Sequence, residues 1–173
     1  MMPVQLPDLH AISQAMNPVK LFRPASSYSH TTRTAFGKWT LEVRQDPFTG
    51  GASCRLHARS MNFYRTAVIF RLPPKANSYQ AYYRIDDGPA TAWRSQALAI
   101  AAAGIPLGDE QRLNPSNGRL PLPYEAVKSA RMVRIQVAAN AQPVRFNLDG
   151  LDGAVTAALA AGCRDRSMGT WQE

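Results

Sequence analysis

The feature that most constrains the fold is a series of short runs in which apolar and polar residues alternate. In the first run, Trp39, Leu41 and Val43 are separated by Thr40 and Glu42. A period of two places the apolar residues on one face of a strand and the polar residues on the other. Further strands are predicted by the same criterion at 54–59, 66–72, 79–85, 90–93, 132–137 and 144–148.

Turn sequences separate these runs about every 8–15 residues, as in an antiparallel fold. Examples are residues 46–51 and the segment Asp86-Asp87-Gly88-Pro89. An Ala-rich helix is predicted from about Leu151 to Ala161, with Asp152 as its N-terminal cap and Gly162 at its end. Residues 95–103 fit either a helix or a strand followed by a short helix. The predicted fold class is therefore mainly β: an antiparallel β-sandwich or curled barrel with a C-terminal helix.

The first 36 residues differ from the rest in composition. Their prolines prevent a long helix, and residues 26–32 are polar without periodicity. We predict a proline-rich arm or linker at 1–36, a β-sandwich domain at 37–166 and a tail at 167–173. The start has no basic segment, apolar core or small-residue cleavage site, so no signal peptide is predicted in this sequence, and a cytoplasmic location stays open.

Positive charge is concentrated in the first half of the chain. Residues 1–86 hold 11 Lys or Arg and 4 Asp or Glu, whereas residues 87–173 hold 9 and 8. Arginine forks suit carboxylates and phosphates, which indicates an anionic partner. The favoured alternative is that these arginines are outward strand positions that keep the domain soluble. The residues selected as a candidate contact surface are Arg55, Arg59, Arg65, Arg84, Asp86 and Trp93.

The two cysteines, Cys54 and Cys163, lie 109 positions apart with no metal-ligand spacing around them. They are either a disulfide that closes most of the domain or two separate buried thiols. The disulfide is the favoured interpretation, and it would place the protein in the periplasm or outside the cell.

Motifs of common enzymes are missing from the sequence. There is no phosphate-binding Gly-Lys-Ser/Thr loop, no His-Glu-x-x-His and no Gly-x-Ser-x-Gly. Asp86 and Asp87 could serve a hydrolase, but an Asp-Gly turn explains them better. We therefore predict a protein that is not an enzyme and that binds no metal and no cofactor.

Aromatic residues interleaved with arginines suggest a second kind of partner. Tyr82 and Tyr83 precede Arg84, and such a β-surface can stack single-stranded nucleic acid. Neighbouring strand residues face opposite sides, so at most one of the two tyrosines joins a platform while the other packs inside.

Four features occur in an order that resembles small exported bacterial β-proteins. They are Trp39, then Cys54-Arg-Leu, then Tyr83 to Pro89 with Trp93, then Phe146 to Leu151 before a helix that ends at Cys163. The order is similar to that of the invasion-associated locus B family and of accessory periplasmic proteins of type VI secretion loci. The resemblance covers about residues 38–164 and implies a non-enzymatic exported domain with a Cys54–Cys163 disulfide. It carries over no catalytic residue.

The sequence therefore favours a non-catalytic, exported or envelope-associated accessory protein that acts through protein–protein contacts in a secretion or surface assembly. Its partner is expected to be another protein, docked through the N-terminal arm. The alternative is a basic nucleic-acid-binding β-domain.

Overall fold

The structure is a computed structural model that describes residues 30–105, 107 and 114–164. The predictions for the arm before residue 30 and for the tail at 167–173 lie outside these residues. The described α-helices are α1 (Trp93–Ala102), α2 (Tyr124–Val127) and α3 (Leu151–Ala160). The described strands are β1 (Thr31–Phe36), β2 (Trp39–Gln45), β3 (Ala52–Ala58), β4 (Met61–Tyr64), β5 (Ala67–Arg71), β6 (Tyr82–Ile85), β7 (Thr91–Ala92), β8 (Arg119–Pro123), β9 (Met132–Gln136) and β10 (Val144–Asn147).

The strands form two antiparallel sheets that are not closed into a barrel. One sheet has the order β1-β2-β3-β4-β5-β8, and the other has the order β10-β9-β6-β7. Apolar residues from both sheets belong to one buried cluster. Phe70 of β5 and Phe146 of β10 meet edge to face across it, with ring centroids 5.0 Å apart. The predicted mainly β fold with a C-terminal helix is confirmed, in its two-sheet form.

The predicted alternation of apolar and polar residues in β2 defines the inner face of the six-stranded sheet. Trp39, Leu41 and Val43 are all buried. The register places Leu41 opposite Leu56, and Leu56 opposite Phe63, so the apolar residues of three strands share one face. The opposite, outer face carries the polar residues of the same strands.

Strand β1 lies inside the segment that was predicted to be an arm. It begins at Thr31 and pairs with β2 along its full length, from Thr31 opposite Arg44 to Phe36 opposite Trp39. The predicted boundary at residue 36 is therefore wrong by six residues. Five of the six residues in β1 are exposed, so the strand is held by its ladder and has no apolar alternation to detect.

Strand β8 was not predicted from the sequence, because it contains two prolines. Proline lacks an N–H and is tolerated only where a strand does not donate on that side. Leu120 and Leu122, which alternate with the prolines, pair with Phe70 and Val68 of β5, and just beyond the two strands Leu72 N donates to Gly118 O at 2.8 Å. The carbonyl oxygens of Arg119 and Pro121 accept instead from Ser78 Oγ at 2.7 Å and Trp93 Nε1 at 2.8 Å. Two side chains thus cap the free edge of this sheet.

Residues 90–103 resolve into a very short strand and a helix. β7 comprises only Thr91 and Ala92, and α1 begins at Trp93, one residue inside the predicted hairpin partner. Trp93 and Ile100 are the buried residues of α1, and Trp93 also meets Tyr79 edge to face. The helical alternative for residues 95–103 is the correct one.

A close backbone contact joins the β1–β2 turn to the start of α3. Lys38 N donates to Asp149 O at 3.0 Å, and a Cβ added at Gly150 would collide with Phe36 O. Gly150 also has a φ of +88°, so both the lack of space and the backbone conformation require glycine at this position. Gly150 is the N-cap of α3, and the predicted capping role of Asp152 is wrong: its carboxyl group accepts a hydrogen bond from the Tyr124 hydroxyl at 2.6 Å.

The two cysteines form a disulfide. Cys54 lies in β3, and Cys163 follows α3 with its Cα atom 5.8 Å from that of Cys54. Both residues are fully buried. The bond fastens the C-terminal helix to the middle of the six-stranded sheet and closes a loop of 109 residues. In the described ranges, no helix is both long and apolar enough to span a membrane.

We expect the Cys54→Ala/Cys163→Ala double variant to lose about 4 kcal/mol of unfolding free energy, because the unfolded chain is no longer constrained by a loop of this length. Urea unfolding of the oxidised protein and the variant measures the difference. Addition of a reductant should destabilise the parent and leave the variant unchanged. Equal stability of parent and variant would show that the bond contributes nothing.

Candidate functional site

Arginines cover the outer face of the six-stranded sheet. We call this surface the basic face and define it by Arg33, Arg44, Arg55, His57, Arg71 and Arg119. The register fixes their common orientation, because Arg33 lies opposite Glu42, Glu42 lies opposite Arg55, and Arg71 lies opposite Arg119. Arg44 is two residues from Glu42, and His57 two from Arg55, so both share that side.

Glu42 is the one acidic residue in the six strands of this sheet. It is 6% exposed, and its Oε1 lies 2.9 Å from Arg33 Nε and 3.6 Å from His57 Nε2. The side chain of Arg33 is itself largely exposed above it. Glu42 therefore forms an ion pair with one arginine of the basic face, Arg33, and with no other arginine of this face.

Four arginines of the basic face have no ion pair and no side-chain hydrogen bond to any described residue: Arg44, Arg55, Arg71 and Arg119. Burial, with a smaller contribution from Arg71, lowers the pKa of the Arg119 guanidinium, but an arginine remains charged at neutral pH. The result is a sheet face with a concentrated and mostly uncompensated positive charge.

His57 lies at the centre of this charge. Burial lowers the pKa of His57 below its ordinary value of 6.5, and the nearby Arg55 guanidinium lowers it further. Glu42 raises the pKa, but these contributions are smaller. His57 is therefore neutral at pH 7 and becomes charged only after further acidification.

A second set of arginines lies on the outer face of the four-stranded sheet. Arg84 of β6 pairs directly with Arg134 of β9, and Arg134 pairs directly with Arg145 of β10. We call these three residues the arginine row. Like charges at directly opposite positions of a sheet destabilise it. Arg84 and Arg145 have no side-chain partner among the described residues, so the cost is only partly offset.

A shallow cleft of about 240 Å³ adjoins the arginine row. Tyr82 and Gln136 form the neighbouring cross-strand pair, and Ala90 and Pro143 complete the walls beside Arg84 and Arg134. Tyr82 is 51% exposed, whereas Tyr83 is 9% exposed and packs inside. The prediction that the two tyrosines face opposite sides is confirmed.

The turn that follows β6 orients the central arginine of the row. Arg134 Nη2 donates to Asp86 O at 2.6 Å and lies 3.4 Å from Asp87 Oδ1. The Asp86 carboxyl group is occupied elsewhere, because its Oδ1 accepts from the backbone N–H groups of Arg131 and Met132 at 2.9 and 3.0 Å. Asp86 therefore positions the start of β9 through this oxygen.

The structure divides the predicted contact surface among several places. Arg55 belongs to the basic face, and Arg84 belongs to the arginine row. Arg59 and Arg65 lie in the turns at either end of β4, where Arg65 Nε donates to the Tyr64 hydroxyl. Trp93 is fully buried, and its indole caps β8, so its side chain is not on the surface. Its place in the predicted contact surface is corrected accordingly.

Three residues of this site were not predicted from the sequence: Arg134, Gln136 and Arg145. The signal was present for the first two, because they alternate with buried Val133 and Ile135. Their proximity to Tyr82 and Arg84 depends on the pairing of β6 with β9, which are separated by almost fifty residues. In the described part of the chain, no group of three His, Cys, Asp or Glu residues is arranged to hold a metal ion.

Comparison of the chain with protein-family models, with curated proteins and with solved structures finds no match.

The free energy of unfolding should decrease as the pH falls below about 7, partly because of His57. The pKa of His57 is lower in the folded state than in the unfolded state, so the unfolded state binds the proton first as the pH falls. Stability from this group is therefore present above the unfolded pKa and is lost as the pH falls toward the folded pKa. Urea unfolding between about pH 5 and 8 should show that the free energy of unfolding falls less steeply with decreasing pH for His57→Gln than for the parent. Parallel curves would contradict the lowered pKa.

Removal of one charge from the arginine row should stabilise the protein. We expect Arg84→Gln to gain roughly 0.2–1 kcal/mol of unfolding free energy at low salt, because it relieves repulsion from Arg134. The gain should shrink as salt screens the charges. Lys38→Gln, in the β1–β2 turn, removes the same charge outside the row and serves as the control. An equal gain in both variants would mean that net charge, not the row, is responsible.

Proposed function

We propose that the chain is a non-catalytic, exported domain that binds an acidic surface of another protein through its basic face. The observation that carries this proposal is the composition of one sheet face, where five arginines accompany a single glutamate. Such a face attracts a partner of opposite charge and repels one of like charge.

The form of the basic face suits a protein partner. Its arginines project from paired strands, so the backbone beneath them is already ordered and little entropy is lost when a partner binds. Arginine is enriched at protein interfaces, where its planar fork can bind carboxylates in a bidentate manner. Arg44, Arg55, Arg71 and Arg119 form no ion pair and no side-chain hydrogen bond with a described residue, so carboxylates of another protein can pair with them.

The disulfide supports the exported part of the proposal. Disulfides between buried cysteines persist in oxidising compartments such as the periplasm and are rare in the cytosol. The bond between Cys54 and Cys163 fits such a location. The resemblance to exported accessory proteins of secretion loci points the same way, and an accessory role in a secretion or surface assembly is part of the proposal.

A nucleic-acid partner is the second candidate. It is favoured by Tyr82, whose half-exposed ring lies beside Arg84 and Arg134. Proteins that bind single strands usually stack successive bases on several aromatic side chains. On this face Tyr83 is turned into the core, so the Tyr-Tyr-Arg run supplies one ring instead of two. The protein partner therefore ranks first.

Site-specific photo-crosslinking in the native host tests the proposal. A photoreactive amino acid is placed at Thr31, an exposed position in the same cross-strand row as Arg44, and at Leu159 on α3 as the positional control. We expect a discrete protein adduct from position 31 only. Arg55→Glu/Arg71→Glu should reduce its yield roughly tenfold or more, because reversed charges repel an acidic partner.

The matched control is Lys75→Glu/Arg94→Glu, which changes the net charge by the same amount outside the basic face. Retention of the adduct in this control, together with its loss in Arg55→Glu/Arg71→Glu, supports the proposal. Equal yields in both variants, or equal losses, contradict a specific role for the basic face. An adduct that nuclease removes would favour the nucleic-acid alternative.

A further inference from the structure

We propose that the outer face of the four-stranded sheet binds an anionic polysaccharide, a sugar chain whose rings carry carboxylate or sulfate groups. The site consists of the arginine row together with Tyr82 and Gln136. It lies on a different sheet from the basic face and shares no residue with it, so the proposal goes beyond the protein contact and stands or falls separately.

The arginine row supplies the anion recognition. Its three side chains start from adjacent strands, which are spaced about 4.8 Å apart, so the row extends over about 10 Å. Arg84 and Arg145 flank Arg134 with no described side-chain partners, and among the described residues Asp87 is the one acidic side chain that forms an ion pair with the row. Three directly opposed cations are costly in a sheet, and a bound anion between them would reverse that cost.

The central arginine is already oriented for this task. Donation by Arg134 Nη2 to Asp86 O fixes the guanidinium at one end, and Asp86 is itself held by two backbone N–H groups of β9. Both of these contacts of Arg134, to Asp86 O and to the Asp87 carboxylate, use Nη2, so its Nε and Nη1 groups remain as donors for a ligand oxygen. Gln136 is fixed as well, because its Nε2 donates to Ala141 O at 3.0 Å. Its amide oxygen is then an acceptor for a ligand hydroxyl.

Tyr82 supplies an aromatic surface on which a sugar ring can pack. Its side chain is half-exposed and borders a cleft that Ala90 and Pro143 close with apolar walls. Sugars present one apolar face and a rim of hydroxyl groups, so they suit an aromatic side chain with polar groups beside it. The cleft of about 240 Å³ is smaller than the roughly 300 Å³ of a typical drug-sized pocket, which suits one ring of a chain that continues along the open surface.

The same features favour a sugar chain over a nucleic acid. A nucleic-acid strand gains affinity when successive bases stack on several aromatic rings. Of the two tyrosines that line the cleft, only Tyr82 has a substantially exposed side chain. The residues around it provide an amide and guanidinium groups suited to hydroxyl, carboxylate and sulfate oxygens. One ring contact with charged contacts on either side fits an acidic sugar better.

Calorimetric titration of the full chain at low salt tests the proposal with matched probes. Hexagalacturonate and its neutral methyl ester form one pair, sulfated and unmodified maltohexaose form the second, and a ten-residue oligothymidylate is the competing class. We expect at least one anionic hexasaccharide to bind, and its neutral partner to bind at least about tenfold more weakly. The two pairs distinguish carboxylate from sulfate as the preferred group.

Substitutions locate the binding. Arg84→Gln and Tyr82→Ala should each weaken binding of the preferred probe at least about tenfold, whereas Lys38→Gln should change it less than about twofold. Thermal unfolding of each variant confirms that it is folded. Equal weakening by Lys38→Gln would show that net charge binds the probe and would overturn the site. Insensitivity to Tyr82→Ala would overturn the sugar contact, and tighter, Tyr82-dependent binding of oligothymidylate would overturn the ligand class.

Discussion

The Cys54–Cys163 disulfide is the constraint on which the other features depend. It joins the middle of the six-stranded sheet to the end of α3 and encloses 109 positions of sequence, which include nearly every other element. At the opposite end of α3, Gly150 fits against Phe36 O with no room for a side chain. The helix is thus fixed at both ends, and its N-terminal contact adds to the β2–β3 ladder that joins the β1–β2 hairpin to the remainder of the sheet.

With the apolar residues enclosed between the layers, both sheets turn arginine-rich faces outward. The basic face is broad and has one buried acid, Glu42, to anchor it. The arginine row is narrow and lies beside a cleft with one exposed aromatic ring. The two faces therefore suit ligands of different size, a protein surface on one side and a single sugar ring of a chain on the other. Together, the two proposals assign a protein partner to one sheet and an acidic polysaccharide to the other.

The alternation of apolar and polar residues predicted which side chains of most strands face inward and which face outward. It could not predict which strands pair with one another. Tyr82 and Tyr83 were assigned to opposite faces because side chains alternate along any strand. β1 was missed because it is an exposed edge, and β8 because Pro121 breaks the usual strand composition. The candidate sites were only partly predictable: Arg84 was identified, but its position beside Arg134 follows from long-range register, which no local pattern contains. Trp93 was taken for a surface residue because its hydrogen bond to β8 is equally non-local.

The oxidation state of the two cysteines in the native host tests the central claim, an exported domain closed by a disulfide, most directly. Protein is purified from that host with its thiols trapped at lysis, and intact mass is measured with and without reduction. The account predicts no alkylation before reduction and a mass about 2 Da below that of the reduced chain. Two freely alkylated thiols at Cys54 and Cys163 would contradict it.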